Sequence, residues 1–140
     1  MDAFKWSRFS LSLIAILLFF GCGSEKKPKE EDTDTDYSTL VLGNWSLKSA
    51  SRNGQKIGSL DNTVFQFQTD GKLMSNFNMD GVSQNNDYTI KKDVITQTGT
   101  TSMTYLISEV SDTSLTLNTR FRGYRFKLEL QKWEADSDSE

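Results

Sequence analysis

The chain of 140 residues carries 16 basic and 19 acidic side chains, a formal charge of −3, one Cys, one Pro and no His. That is about one domain's worth of chain, with no intramolecular disulfide framework and no imidazole for metal ligation or acid–base work. Most familiar enzyme classes are thereby removed. At the front, Lys5 and Arg8 precede the apolar run Leu11 to Phe20, the layout of a secretory signal. Read instead as a transmembrane helix, the 16 uncharged residues between Arg8 and Glu25 would span roughly 24 Å, short of a ~30 Å hydrocarbon core.

The run ends in Phe20-Gly21-Cys22, a small residue directly before the only cysteine. This resembles a bacterial lipoprotein lipobox, although Phe19 stands where a small aliphatic residue is more usual. The resemblance implies removal of residues 1–21 and acylation of Cys22, which makes Cys22 a membrane tether and not a nucleophile. One acyl chain anchors marginally, two or three firmly. The alternative, a free thiol in a soluble periplasmic protein, is unusual in an oxidising compartment. Residues 22–38 form the expected linker: Gly23 to Asp36 contain no apolar residue except Pro28, too little to offset the entropy of ordering. Within it, Lys29 followed by Glu30-Glu31-Asp32 is similar to the signal that sends some Gram-negative lipoproteins to the outer face of the outer membrane. A solvated linker is also charged without any such role. The expected location is the outer membrane, lipid-anchored, with exposure on the cell surface as a further expectation.

Residues 39–133 read as one all-β domain and 134–140 as an acidic, frayed tail. Between 37 and 133 there is no proline, and Asn53-Gly54, Asp70-Gly71 and Asp80-Gly81 supply the positive φ that tight hairpins require. Strands are expected near 40–50, 62–69, 72–79, 85–91, 93–98, 102–110, 114–121 and 123–133. Eight strands joined by short turns form an antiparallel up-and-down meander that closure into a barrel leaves without an edge. An open sandwich is the alternative. Alternation places Trp45, Leu47, Phe65, Phe67, Leu73, Phe77, Met79, Tyr88, Ile90, Tyr105, Ile107, Leu115, Leu117, Tyr124, Phe126, Leu128 and Leu130 on the inner face.

Gly43-Asn44-Trp45 on the first strand, Phe65-Gln66-Phe67 running into Asp70-Gly71, then Tyr88-Thr89-Ile90, Tyr105-Leu106-Ile107 and Leu115-Thr116-Leu117 follow an order that resembles the lipocalin-like domains of small bacterial lipoproteins. The resemblance covers most of residues 40–133. It implies an eight-stranded lipocalin-like barrel with a cavity for a small apolar molecule. It also implies a basic residue on the last strand against Trp45, for which Arg125 and Lys127 are the candidates, although both have outward phase.

An eight-strand barrel is only just wide enough to be filled by side chains or to hold one small ligand. Seventeen large inward residues fill much of that volume, so a mainly filled barrel with a shallow open-end pocket is expected. Trp45, Phe65, Phe67, Phe77, Tyr105, Tyr124 and Phe126 are therefore core residues first and candidate ligand contacts second. Arg120, Arg122 and Arg125 form the dense basic cluster, either a clamp for a carboxylate, phosphate or acidic glycan or a solvated hairpin whose charges deter edge pairing. The segment 51–61 is expected to fold over the barrel mouth, with Ile57 and Leu60 as a candidate lid or as a plug for the end of the core. Asp61, Asp70, Asp80, Asp87, Asp93 and Asp112 sit at turns, where Asp serves the backbone. No catalytic residue, metal or cofactor is expected. Eleven bases against eight acids in residues 37–133 are too few for a nucleic-acid partner. The functional expectation is a cell-envelope lipoprotein binding a small apolar or amphipathic ligand. The alternative is a non-enzymatic structural or interaction domain with a filled barrel contacting an envelope or host partner.

Overall fold

Two-residue hairpins need positive φ at their centre, and the chain meets that need at Asn53-Gly54 (φ 51 and 84) and Arg122-Gly123 (φ 51 and 83). In the computed structural model, which describes residues 35–78 and 80–133, these turns punctuate a nearly all-β chain. A single helical turn, α1 (Tyr37–Leu40), precedes β1 (Gly43–Arg52), β2 (Gln55–Ile57), β3 (Val64–Phe67), β4 (Lys72–Ser75), β5 (Gln84–Lys91), β6 (Val94–Thr98), β7 (Met103–Val110), β8 (Ser114–Phe121) and β9 (Tyr124–Lys132).

All neighbours are antiparallel. From β3 to β9 the strands pair in sequence order, and β9 returns to pair with β1 from Trp45↔Lys132 to Arg52↔Phe126. The other edge of β1 is shared: its first half pairs with β3 and its last three residues with β2. The result is a closed eight-stranded antiparallel barrel with β2 as a short hairpin flap on β1. Because successive strands reverse direction, α1 and the turns 68–71, 92–93 and 111–113 gather at one end. The connection 53–63 and the segments 76–83, 99–102 and 122–123 gather at the other, called the open rim here.

Period-two alternation buries one face of each strand. Trp45, Phe65, Phe67, Leu73, Ile95, Tyr105, Leu115, Leu117 and Leu128 are between 0% and 2% exposed. Twelve of the seventeen residues expected inward are buried, and Tyr88, Ile90 and Phe126 pack half-buried against the core. Met79 lies outside the described residues. Tyr124 is a correction: it has the inward phase but is the first residue of β9, past the end of the barrel, and is 46% exposed.

Two other departures have local causes. The expected first strand, 40–50, begins as α1 because Asp36 caps a helical turn, its carboxylate accepting from the Ser38 amide at 3.1 Å and the Thr39 hydroxyl at 2.8 Å. The Ser38 hydroxyl also donates to this carboxylate, and it, foremost, with the Thr39 hydroxyl holds the Asp36 carboxyl below its ordinary range. The expected strand 72–79 stops at Ser75 because the next side chain replaces the ladder: Asn76 accepts from the Val64 amide at 2.8 Å and donates to the Asn62 carbonyl at 2.9 Å. The backbone then turns Phe77 into the barrel.

Candidate functional site

The interior is occupied by the chain's own rings. Phe77, 4% exposed, lies within 5.5–6.5 Å of the ring centroids of Phe65, Tyr105, Phe121 and Phe126. It thereby bridges the short β3–β4 wall to the long β7–β9 wall. Phe65 meets Tyr105 edge-on at 5.6 Å and Phe67 meets Tyr88 edge-on at 5.2 Å, the geometry aromatic quadrupoles favour. The buried polar groups are answered from within: the Tyr105 hydroxyl donates to Gln97 Oε1 at 3.2 Å, and Gln97 Nε2 donates to the Thr101 carbonyl at 2.8 Å. Burial pushes the Tyr105 phenol upward, holding it neutral. Among the buried polar residues, Thr63, Ser75, Asn86, Gln97, Thr116 and Thr119, there is no acid.

The end opposite the rim is closed around Trp45, which is 0% exposed and donates its indole N–H to the Val41 carbonyl at 2.7 Å. The cation over its ring is Lys132, with Nζ 5.1 Å from the centroid, and neither Arg125 nor Lys127 takes that place. Arg125 and Lys127 face outward, as their phase requires, whereas Lys132 is in phase with Leu130 and sits directly across from Trp45. Gly43 leaves room for it: a Cβ at position 43 would meet Lys132 Cε at 2.9 Å.

The residues expected as a lid are placed differently from a free loop. Ile57 belongs to β2 and pairs with Ala50, and both Ile57 and Leu60 pack half-buried against the core. At the rim itself the Arg52 guanidinium lies 5.1 Å from the centroid of the Tyr124 ring, a cation–π contact.

The outer face carries a groove of about 500 Å³ beside this rim. Register explains its composition. Leu106 on β7 pairs with Asn118 on β8, Asn118 with Lys127 on β9, and Lys127 with Ser51 on β1, so these four outward side chains form one row across four strands. In the next row toward the rim, Arg120 and Arg125 stand directly opposite each other. The groove is lined by both rows, by Gly54 and by the half-buried Phe126, and its lining is mostly carbon. Leu106 is 44% exposed there. The β1–β2 turn is pinned alongside: Asn53 N donates to the Arg125 carbonyl at 2.8 Å, and the Arg125 amide donates to Asn53 Oδ1 at 2.9 Å.

Like charges placed directly opposite on a sheet repel, yet among the described residues neither Arg120 nor Arg125 has an ion-pair partner. Lys127 does, holding Glu129 at 2.8 Å. That contact raises the Lys127 ammonium, and Lys127 and Ser49 together lower the Glu129 carboxyl. Of the expected basic cluster, the structure brings Arg120 and Arg125 together. It leaves Arg122 at the tip of the turn, outside the groove lining. A second concavity, about 550 Å³, lies between residues 58–63 and 76–81 and is bordered by Asp61, Asn62, Asn76, Asn78 and Asp80.

Among solved structures the chain is similar to a lipocalin-like protein from Bacteroides uniformis, with a TM-score of 0.50 and 18% identity over 66% of this chain and 98% of that one. The fold is lipocalin-like. A second structure, an uncharacterized protein from Bacteroides eggerthii, matches with a TM-score of 0.49 and the same identity and coverage. No family model matches the sequence, and no curated protein does. Cys22 and the acidic tail from Glu134 to Glu140 lie outside the described residues.

Proposed function

We propose that this protein is a non-enzymatic, lipid-tethered binding module of the cell envelope, which holds a small amphipathic ligand on the outside of a filled lipocalin-like barrel. One observation carries the reading: the space where a lipocalin-like barrel would hold a ligand is taken by Phe65, Phe67, Phe77 and Tyr105, while the groove beside the rim exposes Leu106 on the same face as Arg120 and Arg125. Ligand sites combine an apolar surface with a few convergent polar groups. The tether rests on the sequence alone, on Cys22 behind its apolar run, and the outer membrane is the location that Lys29-Glu30-Glu31-Asp32 favours.

Two measurements test this. Metabolic labelling with a radioactive fatty acid is expected to mark the wild type and not Cys22→Ala, with the variant released to the soluble fraction. An unlabelled wild type that still fractionates with membranes refutes the tether. Organic extraction of natively purified protein followed by mass spectrometry is expected to yield a small amphiphile. An empty extract favours the second reading, an interaction domain with a solid core, which the filled interior also suits.

A further inference from the structure

We infer that the ligand of the outer groove is a phosphomonoester with a compact apolar body, its phosphate held between Arg120 and Arg125 and its apolar part against Leu106. This deepens the binding proposal and rests on it. Three observations converge. Arg120 and Arg125 are cross-strand partners on the outer face, with no ion-pair partner among the described residues. Such a pair repels in the free protein and is relieved by an anion between its members. Arg52, Arg122 and Lys127 belong to the same corner of the barrel, and the acids one row further from the rim are Glu129, already engaged by Lys127 and by the Ser49 hydroxyl, and Glu109, whose charge also acts on Lys127.

The charge count selects the headgroup. Two free guanidiniums match a phosphomonoester, which carries about −1.5 to −2 at neutral pH and offers three acceptor oxygens to planar forks. A carboxylate would neutralise only one of them. Lys127 stands in the neighbouring row with its charge answered by Glu129, so the phosphate falls to the two arginines. The apolar body follows from the other half of the groove. Leu106 lies in the row next to the two arginines, pairs with Val94 on β6 and Asn118 on β8, and is 44% exposed on a face otherwise polar at Thr104 and Ser108. Leu106 thus offers one apolar contact in the row beside the paired arginines, suited to a short chain or a ring.

The test is calorimetric titration of the folded domain, with Cys22→Ala full-length protein as sample and octyl phosphate as probe. Inorganic phosphate, octylphosphocholine and phosphatidylglycerol vesicles serve as comparisons. Octyl phosphate is expected to bind at least tenfold more tightly than either inorganic phosphate or octylphosphocholine. Arg120→Gln combined with Arg125→Gln is expected to weaken it at least tenfold, and Leu106→Ser at least threefold. All three positions are exposed, so the melting temperature serves as a control that the variants remain folded. Octylphosphocholine binding as tightly as octyl phosphate would overturn the headgroup assignment and leave the broader binding proposal standing. Equal binding of inorganic phosphate overturns the apolar half. Capture by vesicles with no binding of the monomer identifies a membrane-facing basic patch and overturns the proposal. Binding of none of the probes, together with an empty native extract, removes both readings.

Discussion

Replacing Phe77 by Ala probes the filled interior at the residue that spans it. The side chain is 4% exposed and touches four rings, those of Phe65, Tyr105, Phe121 and Phe126. Burying an aromatic ring removes ~150–250 Å² from water, which at ~25 cal/mol per Å² amounts to ~4–6 kcal/mol. Alanine retains part of that burial, and the extended-chain reference overstates it, so a loss of ~3–5 kcal/mol is expected. The four neighbours come from β3, β7, β8 and β9, so no single strand can shift to close the gap. Urea denaturation followed by intrinsic tryptophan fluorescence measures the change, with Tyr124→Ala as the contrast. Tyr124 has the same inward phase but is 46% exposed, and its replacement should cost about 1 kcal/mol or less. A Phe77→Ala protein that unfolds within about 1 kcal/mol of the wild type would show that the barrel is not packed across its width, and the case for an outer site would lose its basis.

Gly43→Ala should destabilise by about 1–3 kcal/mol, since position 43 has φ +115 and a Cβ there meets Lys132 Cε at 2.9 Å. Adding Lys132→Ala should recover only the steric part, and full recovery in denaturant melts would refute the backbone component. Tyr105 is neutral and buried, with its phenol raised by desolvation. Its contribution is fully present below the unfolded tyrosine value of about 10 and is lost as pH rises toward the folded value, at up to ~1.4 kcal/mol per pH unit. Tyr105→Phe should flatten that alkaline slope, and an unchanged slope would place the titration elsewhere. Ile57→Ser with Leu60→Ser, two half-buried side chains, should lower stability by about 2 kcal/mol while leaving octyl phosphate kinetics unchanged. Altered on- and off-rates with no change in melting would instead make the segment a lid.

Much of this fold is legible because antiparallel meanders write their pattern locally. Asn53-Gly54 and Asp70-Gly71 mark turns by their backbone needs, and strands such as Leu115-Thr116-Leu117 and Phe126 to Leu130 show their faces by alternation. What escaped was what breaks that pattern. The register shift between Leu47 and Ser49 leaves Lys48 unpaired and brings Ala50, 3% exposed, inward where strict alternation would place Ser49. Strand β2 is three residues, too short and too polar to announce itself, and α1 is a single turn without helical periodicity. Ile95 is fully buried on a strand whose other inward residue is Gln97, so no apolar rhythm marked it. Lys132 is the last residue of β9, where a charged side chain ordinarily faces solvent, so nothing in the local pattern marks its place over Trp45. The groove was only half visible. Arg120 and Arg125 were recognisable as a cluster by their proximity in sequence. Leu106 became their neighbour through the pairing of β7, β8 and β9, information that resides in register and not in any one segment.

The central claim, that the barrel is filled and the ligand sits outside it, is tested most directly by an NMR titration of isotope-labelled protein with octyl phosphate. The account predicts shifts for the backbone and side-chain groups of Ser51, Leu106, Asn118, Arg120, Arg125 and Lys127, and none for the Trp45 indole or for Phe65, Leu117 and Leu128. Perturbation of that interior set, with the outer row silent, would place the ligand in the barrel and contradict the account.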